Sequence, residues 1–388
     1  MTGTSYMVKE ISSQPQLWMD TYQSIADKQA TISLFMNQVL ETDNLQVILT
    51  GAGSSAFIGE ILQYAFHKNF SLPVVAVPTT DLVTHPRNFF TKTIPTLLVS
   101  FARSGDSPES VAAFQLADDL TDVVFHLVIT CSKEGELAKI AAGKENAFIF
   151  LMPEGTNDQA LAMTSSFTSM ALAGLLISDI DNIQANKKNV SQLSAFGDLI
   201  LNNFAKALDK VADLDFKRVV FIGSGALKGS AKESHLKVIE LTDGQIVCQY
   251  DSFLGFRHGP KAIIDKSTLL VYLFSSDAYI FPYETDLVRS INQTEDFIYS
   301  IGIGQHSKEM EALRLNLDII TTADIAEMPD DFFSIGSVIP AQVLGFYKSQ
   351  SLGLTPDSPS TNGGIHRIVQ GVNIYPYHEA PAPGKKGF

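Results

Sequence analysis

The chain has 388 residues, room for two ordinary domains, and its 45% apolar and 18% charged residues support a large core and exclude general disorder. Twenty-eight Lys+Arg against 42 Asp+Glu leave a net charge of −14, which opposes nucleic acid or an anionic membrane as partner and obliges any phosphorylated ligand to find a local anion cradle. Cys131 and Cys248 are the only cysteines, so no disulfide framework is expected and a reducing cytosol is the expected compartment.

Apolar residues at helical spacing (Leu17, Ile25, Ile32, Phe35, Val39, Leu40) predict one or two helices over 15–41, within an N-terminal helical extension of 1–44. Residues 1–10 show no basic-then-apolar signal pattern, and no apolar run approaches the roughly 20 residues of a membrane span. A short strand at 46–50 enters a turn containing Gly51, Gly53, Ser54 and Ser55, and a helix follows over 56–67. Strands are expected at 73–77 and 95–101, then the run Arg103-Ser-Gly-Asp-Ser-Pro-Glu-Ser110 opens a helix. In it Ser107 suits the N-cap and Pro108 the first helical position. Strands at 123–130 and 147–151 continue the alternation, which predicts a parallel sheet with helices on both faces.

The pattern then recurs 172 residues on: Val47-Ile-Leu-Thr-Gly-Ala-Gly53 as Val219-Val-Phe-Ile-Gly-Ser-Gly225, Thr96-Leu-Leu-Val99 as Thr268-Leu-Leu-Val271, Val74-Val75 as Ile246-Val247. Two tandem doubly wound, flavodoxin-like α/β domains are expected at 45–188 and 216–355, with a helical connector at 189–215 and a C-terminal tail at 356–388. The copies differ after the third strand: Ser104-Gly-Asp-Ser107 in the first, Ser275-Ser-Asp-Ala278 in the second. An anion cradle is therefore expected in the first copy only.

Gly/Ser turns between a strand and a helix aim backbone N–H groups and hydroxyls at one point, where the helix dipole favours negative charge. Such turns are also simply good turns, but two in corresponding positions favour a phosphate site of Ser54, Ser55, Arg103, Ser104, Gly105 and Ser107. A dinucleotide site fits poorly, because neither second strand ends in the acidic residue a ribose requires. Glu233, Lys237 and Glu240 share one face of the helix after the second Gly turn. They could be an exposed ion-pair face or, at the ligand-binding edge, a carboxylate able to carry a proton between adjacent carbons. His258 sits in a rigid His-Gly-Pro turn. No His or Cys spacing suggests a metal, and no cofactor is expected.

Taken in order, Gly-Ser-Ser, Ser-Gly-Asp-Ser, Lys-x-x-Glu, and His-Gly-Pro with Ile263-Ile264-Asp265 expected to open a strand resemble the double sugar isomerase (SIS) domain proteins. The segments 102–110, 162–168 and 369–375 resemble more narrowly the galactosamine-6-phosphate deaminase/isomerase type, also described as tagatose-6-phosphate ketose/aldose isomerase. A more distant similarity is to the isomerase half of glucosamine-6-phosphate synthase. The resemblance implies Ser55, Ser104 and Ser107 at the phosphate, with Arg103 in place of a usual glutamine. It implies Thr164 and Ser165 near sugar hydroxyls, and Glu240 as proton carrier with two helix neighbours, Lys237 in the catalytic set and Glu233 at the substrate. It further implies His258 as a ring-opening group donated by a neighbouring subunit of a homo-oligomer. The synthases place a tail lysine over the sugar; residues 357–367 have none, leaving His366 or Arg367 for that position. The implied activity is conversion of D-galactosamine 6-phosphate to D-tagatose 6-phosphate and ammonia. The alternatives are aldose–ketose isomerisation without loss of amine, and a non-catalytic sugar-phosphate sensor. The sensor is disfavoured by the short stretch before the first strand, which lacks a basic recognition helix.

Overall fold

The computed structural model describes residues 5–378 except 295, 306, 307, 323, 326 and 370. The first four residues of the expected extension, Gln370 in the tail motif and the tail end at 379–388 thus lie outside the described residues.

Helix α1 (Tyr6–Asp27) begins well before the predicted start and carries Pro15 in its interior. A proline there cannot donate to the Ile11 carbonyl, and Gln14 Nε2 donates to it at 3.1 Å instead, so the helix continues. Nor is α1 an appendage, since Met7, Ile11, Trp18 and Ile25 are wholly buried in the main core. After α2 (Gln29–Leu40) the first repeat runs β1 (Gln46–Thr50), α3 (Ser54–Phe70), β2 (Val74–Ala76), α4 (Thr79–Thr84), β3 (Thr96–Ala102), α5 (Pro108–Leu120), β4 (Val124–Thr130), α6 (Glu136–Ala141), β5 (Ala147–Leu151) and α7 (Ser165–Ser178). The five strands lie within a residue or two of their predicted places. α8 (Ile183–Leu199), a π-helical turn (Ile200–Phe204) and α9 (Ala205–Ala212) lead into the second repeat, starting a few residues before the expected connector.

That repeat comprises β6 (Arg218–Gly223), α10 (Ala226–Leu241), β7 (Val247–Asp251), β8 (Thr268–Leu273), α11 (Phe281–Asn292), β9 (Tyr299–Gly304), α12 (Lys308–Glu311) and β10 (Leu317–Ile320), followed by α13 (Asp330–Gly336) and α14 (Ile339–Ser351). Ile263 and Ile264 do not open a strand. They close a 3-10 turn (Pro260–Ile263), and Asp265 accepts from Ser267 N–H at 2.9 Å and Thr268 Oγ1 at 3.1 Å just ahead of β8.

Both sheets are parallel, and their orders, β2-β1-β3-β4-β5 and β7-β6-β8-β9-β10, are the same order twice. The likeness extends to the turns: Gly53 has φ 58° and ψ −130°, Gly225 φ 54° and ψ −127°. Side chains rarely adopt such angles, which accounts for glycine at both points. The strand order reverses between β1 and β3, opening a crevice beyond their C-terminal ends. The repeats meet through equivalent helices, α3 and α10. A Cβ on Gly229 would stand 2.8 Å from the Ile61 backbone nitrogen, so this glycine sets how closely the two helices approach.

Candidate active site

A cleft of about 330 Å³ lies at this crevice. The first repeat supplies Ser54, Ser55, Arg103, Ser104, Gly105 and Ser107 to its lining, the second supplies Glu240, and tail residues 364–369, His366 among them, cross it. α3 and α5 begin at this cleft, so two helix N-termini favour an anion there. Gly105, at φ 76°, turns the loop after β3. Ser107 does take the N-cap position of α5, but its hydroxyl donates to Glu109 Oε2 at 2.8 Å and caps no backbone N–H.

α10 brings three charges together. Lys237 Nζ lies 2.6 Å from Glu240 Oε2, 3.3 Å from Glu233 Oε1 and 3.0 Å from the Ser54 hydroxyl. The lysine and Glu233 side chains are fully buried, whereas Glu240 is 22% exposed. Burial lowers the affinity of Lys237 for its proton, but Glu233 and Glu240 outweigh this and raise its pKa above the ordinary value. Burial pushes Glu233 up to about 7 against the pull of Lys237. The helix face is therefore no exposed ion-pair stripe. Glu233, expected at the substrate, and Lys237, expected in the catalytic set, do not line the cleft; they stand behind its wall, where Lys237 holds Glu240 at 2.6 Å.

Arg103 lines the cleft, but its guanidinium is engaged by the protein itself. It is only 8% exposed, and burial lowers its pKa. Its Nη1 donates to the carbonyls of Ala160 (3.4 Å) and Leu161 (3.2 Å), and its Nη2 to that of Arg367 (2.5 Å). Thr164 and Ser165 are fully buried, and their hydroxyls go to Asp158 Oδ1 at 3.2 and 2.5 Å. Backbone N–H groups of Thr164, Ser165 and Ser166 and the Ser166 hydroxyl also bond this carboxylate, which thereby satisfies the start of α7. The pair is thus removed from the cleft lining, and Leu161 and Met163 of the same segment line it instead. The sequence reading missed Asp158, although it has a signal: Asp330 lies 172 residues on.

In the second copy Asp330 occupies the equivalent serines. Its carboxylate accepts from the Ser276 N–H and hydroxyl, both at 3.0 Å, and from the Ser275 hydroxyl. Glu284 Oε2 accepts from Ser275 N–H at 2.9 Å. A cleft of about 590 Å³ adjoins Ser275 and Ser276, but their N–H and hydroxyl donors are already taken by the protein's own carboxylates.

His258 follows a 3-10 turn (Gly255–Arg257), is exposed and does not line the cleft. Among the described residues no His, Cys, Asp or Glu cluster could hold a metal ion, and no helix is long and apolar enough to cross a membrane. The cleft can therefore seat an anionic group at two helix heads and present one carboxylate, backed by a buried ammonium, to the rest of the ligand.

The pattern of the SIS domain family matches residues 40–178. The chain is 37% identical over 378 residues to D-galactosamine-6-phosphate deaminase AgaS of Shewanella sp. (strain ANA-3), covering 97% of this chain and 93% of that protein. Its namesake from Escherichia coli O157:H7 is 39% identical over 386 residues, with 97% of each chain covered. The crystal structure of tagatose-6-phosphate ketose/aldose isomerase from Escherichia coli superposes with a TM-score of 0.88 at 35% identity, over 97% of both chains. The C-terminal domain of glucosamine-fructose-6-phosphate aminotransferase from Francisella tularensis shares the fold, with a TM-score of 0.74 at 20% identity, over 92% of this chain and 99% of that one.

Proposed function

The chain belongs to the SIS-domain family of D-galactosamine-6-phosphate deaminases, and from that premise we propose that it converts D-galactosamine 6-phosphate and water into D-tagatose 6-phosphate and ammonia. The observation that carries the proposal is that Glu240, from the second repeat, opens into the same cleft as the Ser104–Ser107 turn of the first. A phosphate held at the heads of α3 and α5 supplies remote binding energy and fixes the sugar carbons relative to Glu240.

The chemistry is a proton transfer followed by a hydrolysis. Glu240 removes the C2 proton of the open-chain aldehyde while the C1 oxygen takes up a proton, giving an enolamine. A proton delivered to C1 as the nitrogen loses one gives an imine at C2. Water adds to this imine and ammonia leaves. Lys237 holds Glu240 in place at 2.6 Å. His258, exposed on its own chain, opens the sugar ring in the cleft of a neighbouring copy, so the working form is a homo-oligomer. His366 covers the sugar from the tail. The cradle belongs to a domain spanning 45–188 and the proton carrier to one spanning 216–355, joined through 189–215. Two free cysteines, Cys131 and Cys248, accord with a cytoplasmic enzyme.

The name of the Escherichia coli structural relative supports a second reading, isomerisation without loss of amine. Ammonia release from galactosamine 6-phosphate, run beside glucosamine 6-phosphate and with tagatose 6-phosphate in the reverse sense, separates the two. The proposal expects ammonia from the galacto substrate. Ketose–aldose exchange with no ammonia from either amino sugar selects the second reading.

A further inference from the structure

The sequence around Arg103 suggests a phosphate ligand, since this residue directly precedes the cradle serine. The structure commits its guanidinium elsewhere. Arg103 reaches the carbonyls of Ala160 and Leu161 in one segment and of Arg367 in the tail. Arg367 answers it: its Nε donates to the Asp158 carbonyl at 2.8 Å, and its Nη2 to the same carbonyl at 2.5 Å and to Asn157 Oδ1 at 2.8 Å. Three stretches of chain, at 103, 157–161 and 367, are thereby closed into one ring of hydrogen bonds.

The middle stretch is held rigidly from behind. The Asp158 carboxylate is fixed by the start of α7. Glu10 Oε1, on α1, accepts from the N–H groups of Gln159 (2.5 Å) and Ala160 (3.2 Å). Leu161 N–H donates to the Asp357 carbonyl at 3.0 Å, and the Asp357 carboxylate in turn takes the N–H groups of Tyr6 and Met7 at 3.0 and 2.8 Å. Residues 364–369, by contrast, lie largely exposed across the cleft mouth, with Val369 55% exposed. So little apolar burial means that polar anchors decide where this stretch sits.

We propose that Arg103 and Arg367 are positioning residues that seat the tail over the substrate cleft, and that Arg103 acts through the tail and not as a ligand of the phosphate. The inference rests on the reading of this cleft as the sugar-phosphate site. It explains why a guanidinium is used: Nη1 and Nη2 of the planar fork reach carbonyls of two separate segments from two separate nitrogens, which the single nitrogen of a lysine cannot do.

The test compares Arg103→Ala, Arg103→Lys, Arg367→Ala and the double alanine variant of the full-length protein. Hydrogen exchange is read over 361–369, with the inhibition constant of inorganic phosphate and the KM for galactosamine 6-phosphate measured alongside. Each single alanine variant is expected to speed exchange over 361–369 at least tenfold and to raise KM, while phosphate inhibition stays within about twofold of wild type. The double variant should be no worse than the singles, since either change opens the ring. Arg103→Lys should behave as Arg103→Ala, because it keeps the charge and loses the fork. Tenfold weaker phosphate inhibition in Arg103→Ala with unchanged tail exchange, or full recovery in Arg103→Lys, overturns the proposal. Arg367→Ala lies in the exposed tail, so it tests the ring even if the Arg103 variants fold poorly. A wild type that releases no ammonia would sink the functional reading, yet tail exchange and phosphate inhibition would still decide this one.

Discussion

Lys237 on α10 donates to the Ser54 hydroxyl at the head of α3, 3.0 Å away and across the junction of the two repeats. The same ammonium holds Glu240 at 2.6 Å, so a carboxylate encoded in the second repeat is delivered to a cradle encoded in the first. The contact of α3 with α10, made possible by Gly229, is what brings Glu240 and the Ser104–Ser107 turn to one cleft.

Glu240→Gln keeps the shape and removes the base. It should lower kcat by at least the roughly 10²–10⁴-fold associated with general acid–base groups and change KM far less. Exchange of the substrate C2 hydrogen with solvent deuterium should disappear with turnover. A near-wild-type kcat would remove Glu240 from the mechanism.

Ser104→Ala combined with Ser107→Ala should raise KM about tenfold or more per hydroxyl, because a hydrogen bond to a charged group is worth roughly 1.5–3 kcal/mol. Ser276→Ala in the second copy should leave KM alone. It deletes a hydroxyl that bonds Asp330 at 3.0 Å, so its effect should appear in stability, at about 1–2 kcal/mol by denaturant unfolding. Equal KM effects in the two copies would contradict a cradle confined to the first copy.

His258 is exposed and away from the cleft lining of its own chain. Mixing inactive Glu240→Gln subunits with inactive His258→Ala subunits should therefore restore part of the activity, since some mixed sites combine an intact glutamate with an intact histidine. Demonstrated subunit exchange with no recovery would mean that both groups act within one chain.

Burial pushes Glu284 from its ordinary 4.5 up to about 7, partly offset by the Ser275 N–H. A carboxyl whose folded pKa is raised stabilises the fold below its unfolded pKa and loses that contribution as pH rises through the folded value. Glu284→Gln, neutral throughout, should match wild type near pH 5 and exceed it at pH 8 by on the order of 1–3 kcal/mol. Thermal melts at the two pH values check this, and a variant less stable than wild type at pH 8 contradicts it.

The amino-acid sequence by itself determined the two parallel sheets, their repeat and the turns that form the cradle. These follow from short-range rules: strand and helix periodicities, glycine at positive φ in Gly53 and Gly225, and a Ser-Gly turn ahead of a helix. Glu240 was legible for the same reason, being a fixed number of residues along a helix that starts at the ligand edge. Other residues acquired their roles only in the tertiary structure, through contacts between segments far apart in the chain. Thr164 and Ser165 turned inward because the start of α7 binds Asp158, and Glu233 and Lys237 sank behind the wall where α10 meets α3. Arg103 spends a guanidinium donor on the carbonyl of Arg367, 264 residues away. α1 passed through Pro15 because a neighbouring glutamine covers the carbonyl that proline cannot. Local patterns specify which donors and charges stand at the cleft's edge, and long-range packing decides which of them are spent on the protein itself.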